Sequence, residues 1–368
     1  MRAQAIVQLE GQITRIDDST YRVKSQSGHG EYTLIQTELD SWICNCPDAT
    51  FRGVRCKHAL AVILSRKLRR KVESSVVLEP INVSVYPKCK SDLIVKHGVR
   101  HNKFGNIQRF SCRSCGIRFT INLGFERMKH NPKSITSAMQ MYFGGESLRN
   151  TQASLKLLGT QVSYQTIHNW IRKYVSLMEK YLEQITPQVS ETWRTDEVFL
   201  KVRGNKKWLY ALMDDQTRFW IAQQVADTKG LADVRQMFKE SKKLVDVMPQ
   251  KIISDGAQNF VRAIQDEYSR PSERPLHVRD IRFNGEIHNN KMEALNGHTI
   301  RQREKTMRSL KSVNSPILKG LQIYHNFIRP HMALEGKTPS ELAGIKVNGE
   351  NKWNTIIQNA SVEGRNHV

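Results

Sequence analysis

The chain has 368 residues, with 57 Lys or Arg against 35 Asp or Glu, a formal charge of +22. At 39% hydrophobic residues and a mean hydropathy of −0.52, it can bury cores in about two to three domains. It has no run of ~18 apolar residues to span a bilayer and no apolar leader-like start. A cytoplasmic, nucleoid-associated protein without membrane contact is expected. The positive surplus is spread along the chain and favours a polyanionic partner, because binding one releases counterions. Charge alone separates neither DNA from RNA nor either from a basic protein with no specific ligand.

Residues 1–75 form the first predicted domain, with strand-like alternation over Tyr32–Leu39 and a short helix through HALAVILSRKL. Between them lies SWICNCPDATFRGVRCKHALAVIL, in which Cys44-x-Cys46 is followed by Cys56-x-His58. Residues two apart on a strand share a face, and a pair opening the next helix can complete a tetrahedron. Four nitrogen and sulfur donors with no open position suit structural zinc. The bland alternative is four reduced, buried side chains without metal. The segment resembles the SWIM zinc finger over roughly residues 30–66, a resemblance that implies recognition of DNA or protein.

Residues 76–130 hold Cys89 and Cys112-x-x-Cys115 among turn glycines. The pattern is that of a degenerate zinc ribbon, with Tyr86 where the first cysteine is expected. Either the three thiols bind a second zinc, completed by His97 or His101, or the module folds without metal; the residues leave both open. Lys96, Arg100, Lys103, Arg109, Arg113 and Arg118 suit phosphate contacts.

Residues 131–187 read as three helices, Ser134–Phe143, Ser147–Leu158 and Ser163–Glu183, broken at Gly144-Gly145 and Gly159. If Ile167, Trp170 and Ile171 face inward, then Tyr164, Gln165, His168, Asn169 and Arg172 face outward. That is helix-turn-helix patterning, with the third helix as the DNA reader; a plain three-helix bundle is the alternative.

Residues 188–345 change to α/β texture. Strands are predicted over Trp193–Val202, Lys207–Met213, Phe219–Ala226, Lys251–Ser254 and Leu276–Ile281. Helices are predicted over Leu231–Val245, Ala257–Tyr268, Asn290–Ser312 and Pro316–Phe327. Asp196 lies inside a strand, where an unpaired charge is costly. Asp255 ends an apolar strand, and Glu293 begins a helix. Each has an ordinary reading: a strand-edge residue, a helix cap, or half of a capping box with Asn290. Strand alternation sends Glu197 to the face opposite Asp196, and Asp214 and Asp215 read as turn residues. Residues 346–368 read as a tail, the last ~20 of the chain poorly ordered.

The blocks WRTDEVFLKVRGNKKWLYALMDDQTRFWIA, IISDGAQNF and HNNKMEALNGHTIRQREKTMRSLKS, closed by YHNFIRPHMALEGKTPSELAGI, resemble the DDE transposases of prokaryotic insertion sequences, archaeal ones among them. The resemblance implies an RNase H-like α/β core preceded by the finger, ribbon and helix-turn-helix segments. It gives Asp196, Asp255 and Glu293 the binding of two Mg²⁺ or Mn²⁺ ions, which hard oxygen ligands suit, and implies double-stranded DNA, both element ends and target, as substrate. A homo-oligomer is implied by the joining of two ends. Arg301, Lys305 and Arg308 make a basic stripe for the DNA, or a merely solvated face. His325, Arg329 and His331 in the closing block are expected to pack. An inactive regulator derived from a transposase, or an RNase H-like nuclease or resolvase, is the competing function.

Overall fold

The computed structural model describes all residues except 1, 10, 18, 27, 29, 38–41, 54, 74, 82–84, 87–88, 103–104, 121–122, 270–273, 280–288, 308–309, 314 and 364–368, and the side chains at 2, 4, 8, 67–73, 102, 105 and 307. Lys103 and Arg308 therefore lie outside it, as does the end of the strand expected over Leu276–Ile281. The chain divides into two compact units, Met1–Ser75 and Val76–Val368.

In the first unit, α1 (Arg2–Gln8) precedes an antiparallel meander of β1 (Ile13–Arg15), β2 (Thr20–Lys24), β3 (Glu31–Gln36) and β4 (Trp42–Cys44). Then come α2 (Pro47–Arg52) and α3 (Lys57–Glu73). Alternation along β2 and β3 turns Tyr21, Val23 and Leu34 inward, onto Ile6, Ala59 and Val62 from the helices.

The second unit opens with β5 (Val76–Leu78) and the antiparallel ribbon β6 (Ile94–Asn102), β7 (Gly105–Cys112) and β8 (Arg118–Thr120). Three helices follow: α4 (Pro132–Phe143), α5 (Leu148–Leu157) and α6 (Tyr164–Leu182). Their starts are fixed by side-chain caps from Asn131, Ser147 and Ser163, each accepting a backbone N–H three residues on.

The main sheet of the second unit comprises β9 (Thr192–Val202), β10 (Asn205–Asp214), β11 (Trp220–Ala226), β12 (Lys251–Ile253) and β13 (Leu276–Val278). Helix α7 (Leu231–Leu244) follows β11, and α8 (Gln258–Glu267) follows β12. Strand order is β11-β10-β9-β12-β13; the first three are antiparallel, and β12 and β13 run parallel to β9. That mixed, five-stranded order is the RNase H-like arrangement.

Next come α9 (Asn290–Ala294), a π-helical stretch (Leu295–Arg301), α10 (Gln302–Met307) and α11 (Pro316–Ile323), continued by a second π-helical stretch (Tyr324–Ile328). The chain closes with α12 (Pro339–Leu342), β14 (Ile345–Val347) and α13 (Lys352–Glu363), β14 pairing in parallel with β5.

A single apolar core runs from α4 and α6 through the sheet to α11 and α13. The disordered tail expected for the last ~20 residues does not hold for 346–363. Trp353, Ile356 and Ile357 of α13 are buried, and Trp353 stacks on Phe143 and Tyr324 with centroids 5.6 and 6.3 Å apart. An apolar triplet at one-turn spacing outweighs the polar composition around it. Trp353→Ala is expected to destabilise the second unit by about 3–5 kcal/mol, measured by chemical denaturation; a loss below about 1 kcal/mol would mean that α13 is not core.

Candidate metal centre

The sheet register brings two of the three expected carboxylates together. Parallel pairing of β9 with β12 ends at Arg194–Ile253, so β12 leaves the sheet just before Asp255 and opens a notch beside Asp196. Gly256 makes the exit turn at φ +79°; a Cβ there would lie 3.1 Å from Cβ of Arg279. Asp255 does not cap α8, whose N-cap is Ala257. Its Oδ1 instead accepts the Ala257 N–H at 3.1 Å, a local turn that fixes the carboxylate. Ser254 is anchored 2.8 Å from Nε2 of His277 on β13. Burial pushes the His277 imidazole down to about 4, so it is neutral there.

Asp196 is the most perturbed carboxyl of the group. Burial, then the charges of Glu197, Asp255 and Glu293, outweigh a hydrogen bond from the Glu197 N–H and push it up to about 7. Its Oδ2 accepts a 2.9 Å hydrogen bond from Nδ2 of Asn296, in the π-helical stretch after Glu293. Glu293 is exposed, and its charge reaches Asp196. It is not, however, in the tight carboxylate cluster found among the described residues. Its capping-box reading fails: the N-cap is Asn289, without a side-chain cap bond, and Asn290 is already the first helical residue.

Glu197, though next to Asp196 on a regularly paired strand, still comes close to the Asp196–Asp255 pair. Among Asp196, Glu197 and Asp255, one carboxylate oxygen of each lies within 4.8 Å of the others. Sequence reasoning also missed Asn296, although it sits three residues beyond Glu293 on one helix face, and missed how α9 is held. Lys291 of α9 donates to Asp215 at 2.8 Å, and buried Arg194 of β9 pairs with the same carboxylate. Burial would raise the Asp215 carboxyl, but these two cations hold it below the ordinary range. Asp214, fully buried, accepts from the backbone N–H and hydroxyl groups of Ser190 and Thr217. These aspartates do lie at a turn, but they clamp the turn and the helix to the sheet.

A notch of converging hard oxygens, with buried Oε2 of Glu197 and Oδ1 of Asn296 lacking hydrogen-bond partners, fits a divalent cation. The finger fits its metal too. Cys44, Cys46, Cys56 and His58 are all buried and all within ligating reach of one another. Only Cys44 lies on a strand; Cys46 is brought in as the residue capping α2. Burial pushes the Cys44 thiol up and the His58 imidazole down; the metal would supply the charge that a thiolate there lacks.

In the ribbon, Sγ of Cys89 lies 3.5 Å from that of Cys112 and 3.7 Å from that of Cys115. That is near the edge, about 3.8 Å, of a tetrahedron of sulfurs ~2.3 Å from zinc. Neither histidine completes it. His101 bonds Asn106 at the far end of the hairpin, and His97 is outside the cluster. Tyr86 is buried against Phe119, centroids 4.8 Å apart.

On α6, Gln165, Asn169 and Arg172 are exposed and His168 is half-buried, while Ile167, Trp170 and Ile171 are buried. His168 and Arg172 line one groove with Arg149, Arg303 and Lys311. Arg301 and Lys305 are exposed, Arg301 lying 4.6 Å over the Phe199 ring. Arg303 is instead buried and donates to the carbonyls of Tyr142 and Glu146, tying α10 to α4. In the closing block, His325 is buried against Trp220 with Nε2 3.0 Å from the Arg218 carbonyl, and His331 meets its ring edge-on: packing roles.

Because the folded pKa of Asp196 is raised, the native state holds its proton longer than the unfolded chain does. Stability is therefore lost as pH rises from 3.8 towards about 7. Without divalent metal, the parent protein is expected to lose up to about 1.4 kcal/mol per pH unit relative to Asp196→Asn across that window. Parallel stability–pH curves for the two proteins would contradict this.

Two segments of the chain match known families. Residues 190–331 match the DDE domain of the IS240 transposase family, and residues 38–67 match the SWIM zinc finger. The transposase for insertion sequence-like element IS431mec of Staphylococcus aureus strain Mu50 is 25% identical over 137 residues, 36% of this chain and 59% of that protein. The transposase for insertion sequence element IS257 in transposon Tn4003 of S. aureus matches to the same extent. The chain thus spans about three-fifths of the length of these relatives. Among solved structures, the HTLV-2 integrase catalytic core domain in complex with magnesium, in a trimeric form, has 16% identity and a TM-score of 0.33, covering 43% of this chain and 98% of that one. A DDE domain implies a divalent cation and a SWIM finger implies zinc. Residues 190–331 are a DDE domain, residues 38–67 are a SWIM zinc finger, and the chain is homologous to staphylococcal insertion-sequence transposases.

Proposed function

We propose that the protein is a DNA transposase that cuts at the ends of an insertion element and joins the freed 3′ ends to target DNA. The observation that carries this reading is the convergence of Asp196 and Asp255 at the notch where β12 leaves β9, inside a DDE domain. Asp196, Asp255 and Glu293 would hold magnesium or manganese. When bound, such ions activate the attacking oxygen and stabilise the leaving one. In cleavage, the oxygen of water bonds to phosphorus as the 3′ oxygen leaves, giving a 3′-OH and a 5′-phosphate; in joining, that 3′-OH attacks a target phosphodiester and releases a target 3′-OH, so neither step needs a protein nucleophile.

The chain's own residues do the positioning. Asn296 fixes one oxygen of Asp196, and the Lys291–Asp215–Arg194 bridge sets α9, and with it Glu293, against the sheet. Gln165, His168, Asn169 and Arg172 on α6 would read the terminal repeats in the major groove, and Arg301, Lys305 and Arg308 would grip phosphates. Synapsis of two ends requires at least two copies of the chain, and a place of action at the nucleoid follows from the substrate. The inactive-regulator alternative finds no support in a sequence that retains Asp196, Asp255 and Glu293.

Asp255→Asn is expected to abolish both end cleavage and strand joining while leaving affinity for the element's ends within about twofold, by the separation of backbone grip from chemistry. Retained joining by that variant, in assays with Mg²⁺ and terminal-repeat DNA, would sink the assignment. For zinc, we infer that Cys89, Cys112 and Cys115 hold a second ion with an external fourth ligand. Metal analysis should give two zinc ions per chain, falling to one in Cys115→Ser. One zinc in both proteins would place all of it in the SWIM finger.

A further inference from the structure

The DDE reading uses three carboxylates, whereas the notch contains a further one, Glu197. Its side chain is only 6% exposed. One oxygen pairs with Nζ of Lys229, and Oε2 is buried without any hydrogen-bond partner. A buried carboxylate oxygen left bare costs on the order of kcal/mol, and the ordinary remedy, a second donor, is absent here. What the glutamate does have is proximity, with a carboxylate oxygen within 4.8 Å of both Asp196 and Asp255. Pairing of β9 with β12 has already ended at Arg194, so β12 does not cover the edge of β9 beside Glu197.

Lys229 completes the arrangement. It is half-exposed and rests 4.2 Å over the Trp208 ring, so it can leave Glu197 for solvent while keeping contact with the indole. A lysine ammonium offers the notch a single charge, whereas a divalent cation offers two and takes several oxygens at once.

We propose that Glu197 is a fourth carboxylate of the metal centre, and that Lys229 is its counter-ion in the metal-free protein. The proposal rests on the DDE reading of Asp196 and Asp255. Metal binding then draws Glu197 towards the notch and releases Lys229 towards solvent. The two residues therefore act on metal affinity with opposite sign: removing the carboxylate charge weakens binding, and removing the competing ammonium strengthens it.

The test is Mn²⁺ binding to the full chain, read by electron paramagnetic resonance of free Mn²⁺ and by calorimetry, with folding followed by circular dichroism. Glu197→Gln is expected to weaken Mn²⁺ binding about tenfold or more, the scale on which residues supporting a metal site act. Lys229→Met should tighten it, and the double variant should bind as Glu197→Gln does, because Lys229 has nothing left to compete for. If Glu197→Gln folds and binds Mn²⁺ like the parent, or if Lys229→Met binds more weakly, the proposal is overturned and the pair is a structural ion pair. Asp255→Asn is the control. Should it also bind Mn²⁺ unchanged, the DDE centre itself is refuted, and the two failures are thereby told apart.

Discussion

Negative charge gathered where water is scarce is the constraint on which this molecule turns. Asp196 sits on the central strand, largely buried, with other carboxylates converging on it. Left alone, such a group would keep its proton or push its neighbours apart. The surrounding architecture holds it together instead. Antiparallel pairing with β10 fixes the strand on one side, and the early end of β12 admits Asp255 and Glu197 on the other. Asn296 donates to one oxygen, and the Arg194–Asp215–Lys291 bridge keeps the Glu293 helix from retreating. The stored repulsion makes the notch receptive to a doubly charged cation.

The same apolar core that supports the sheet supports the three helices α4, α5 and α6. Helix α6 buries Ile167, Trp170, Ile171, Tyr174, Val175 and Met178 in it, and buried Arg303 ties α10 to the end of α4. The exposed face of α6 is therefore fixed relative to the DDE residues within one compact unit, not carried on a separate module. The SWIM finger has its own small core around Val23, Leu34 and Val62.

Much of this was legible in the sequence where periodicity and caps carry the signal. The helices expected from Ser147 and Ser163 begin there, and the strand blocks around Asp196 and Asp255 form the sheet they predict. Both cysteine clusters are assembled where their spacing indicates. What was not legible depends on partners distant in sequence. Glu197 points away from Asp196 by alternation, and its nearness to Asp255 depends on where a strand some 60 residues later ends. Asp214 and Asp215 look like turn polars until Ser190, Arg194 and Lys291 reach them. Helix α13 reads as a polar tail because its apolar residues are few, yet they fill one aromatic stack with Phe143 and Tyr324.

The π-helical stretch Leu295–Arg301 has a consequence for how this element can change. It begins two residues after Glu293 and winds more residues into each turn than an α-helix does. Everything beyond it is consequently rotated about the axis relative to a regular continuation. Shortening this stretch by one residue would restore ordinary winding and swing the exposed Arg301 and Lys305 around the helix, while Glu293, upstream, stayed in place. The wide turn thus divides one helix in two: a carboxylate whose place is set upstream of it, and a basic face whose aim the winding sets.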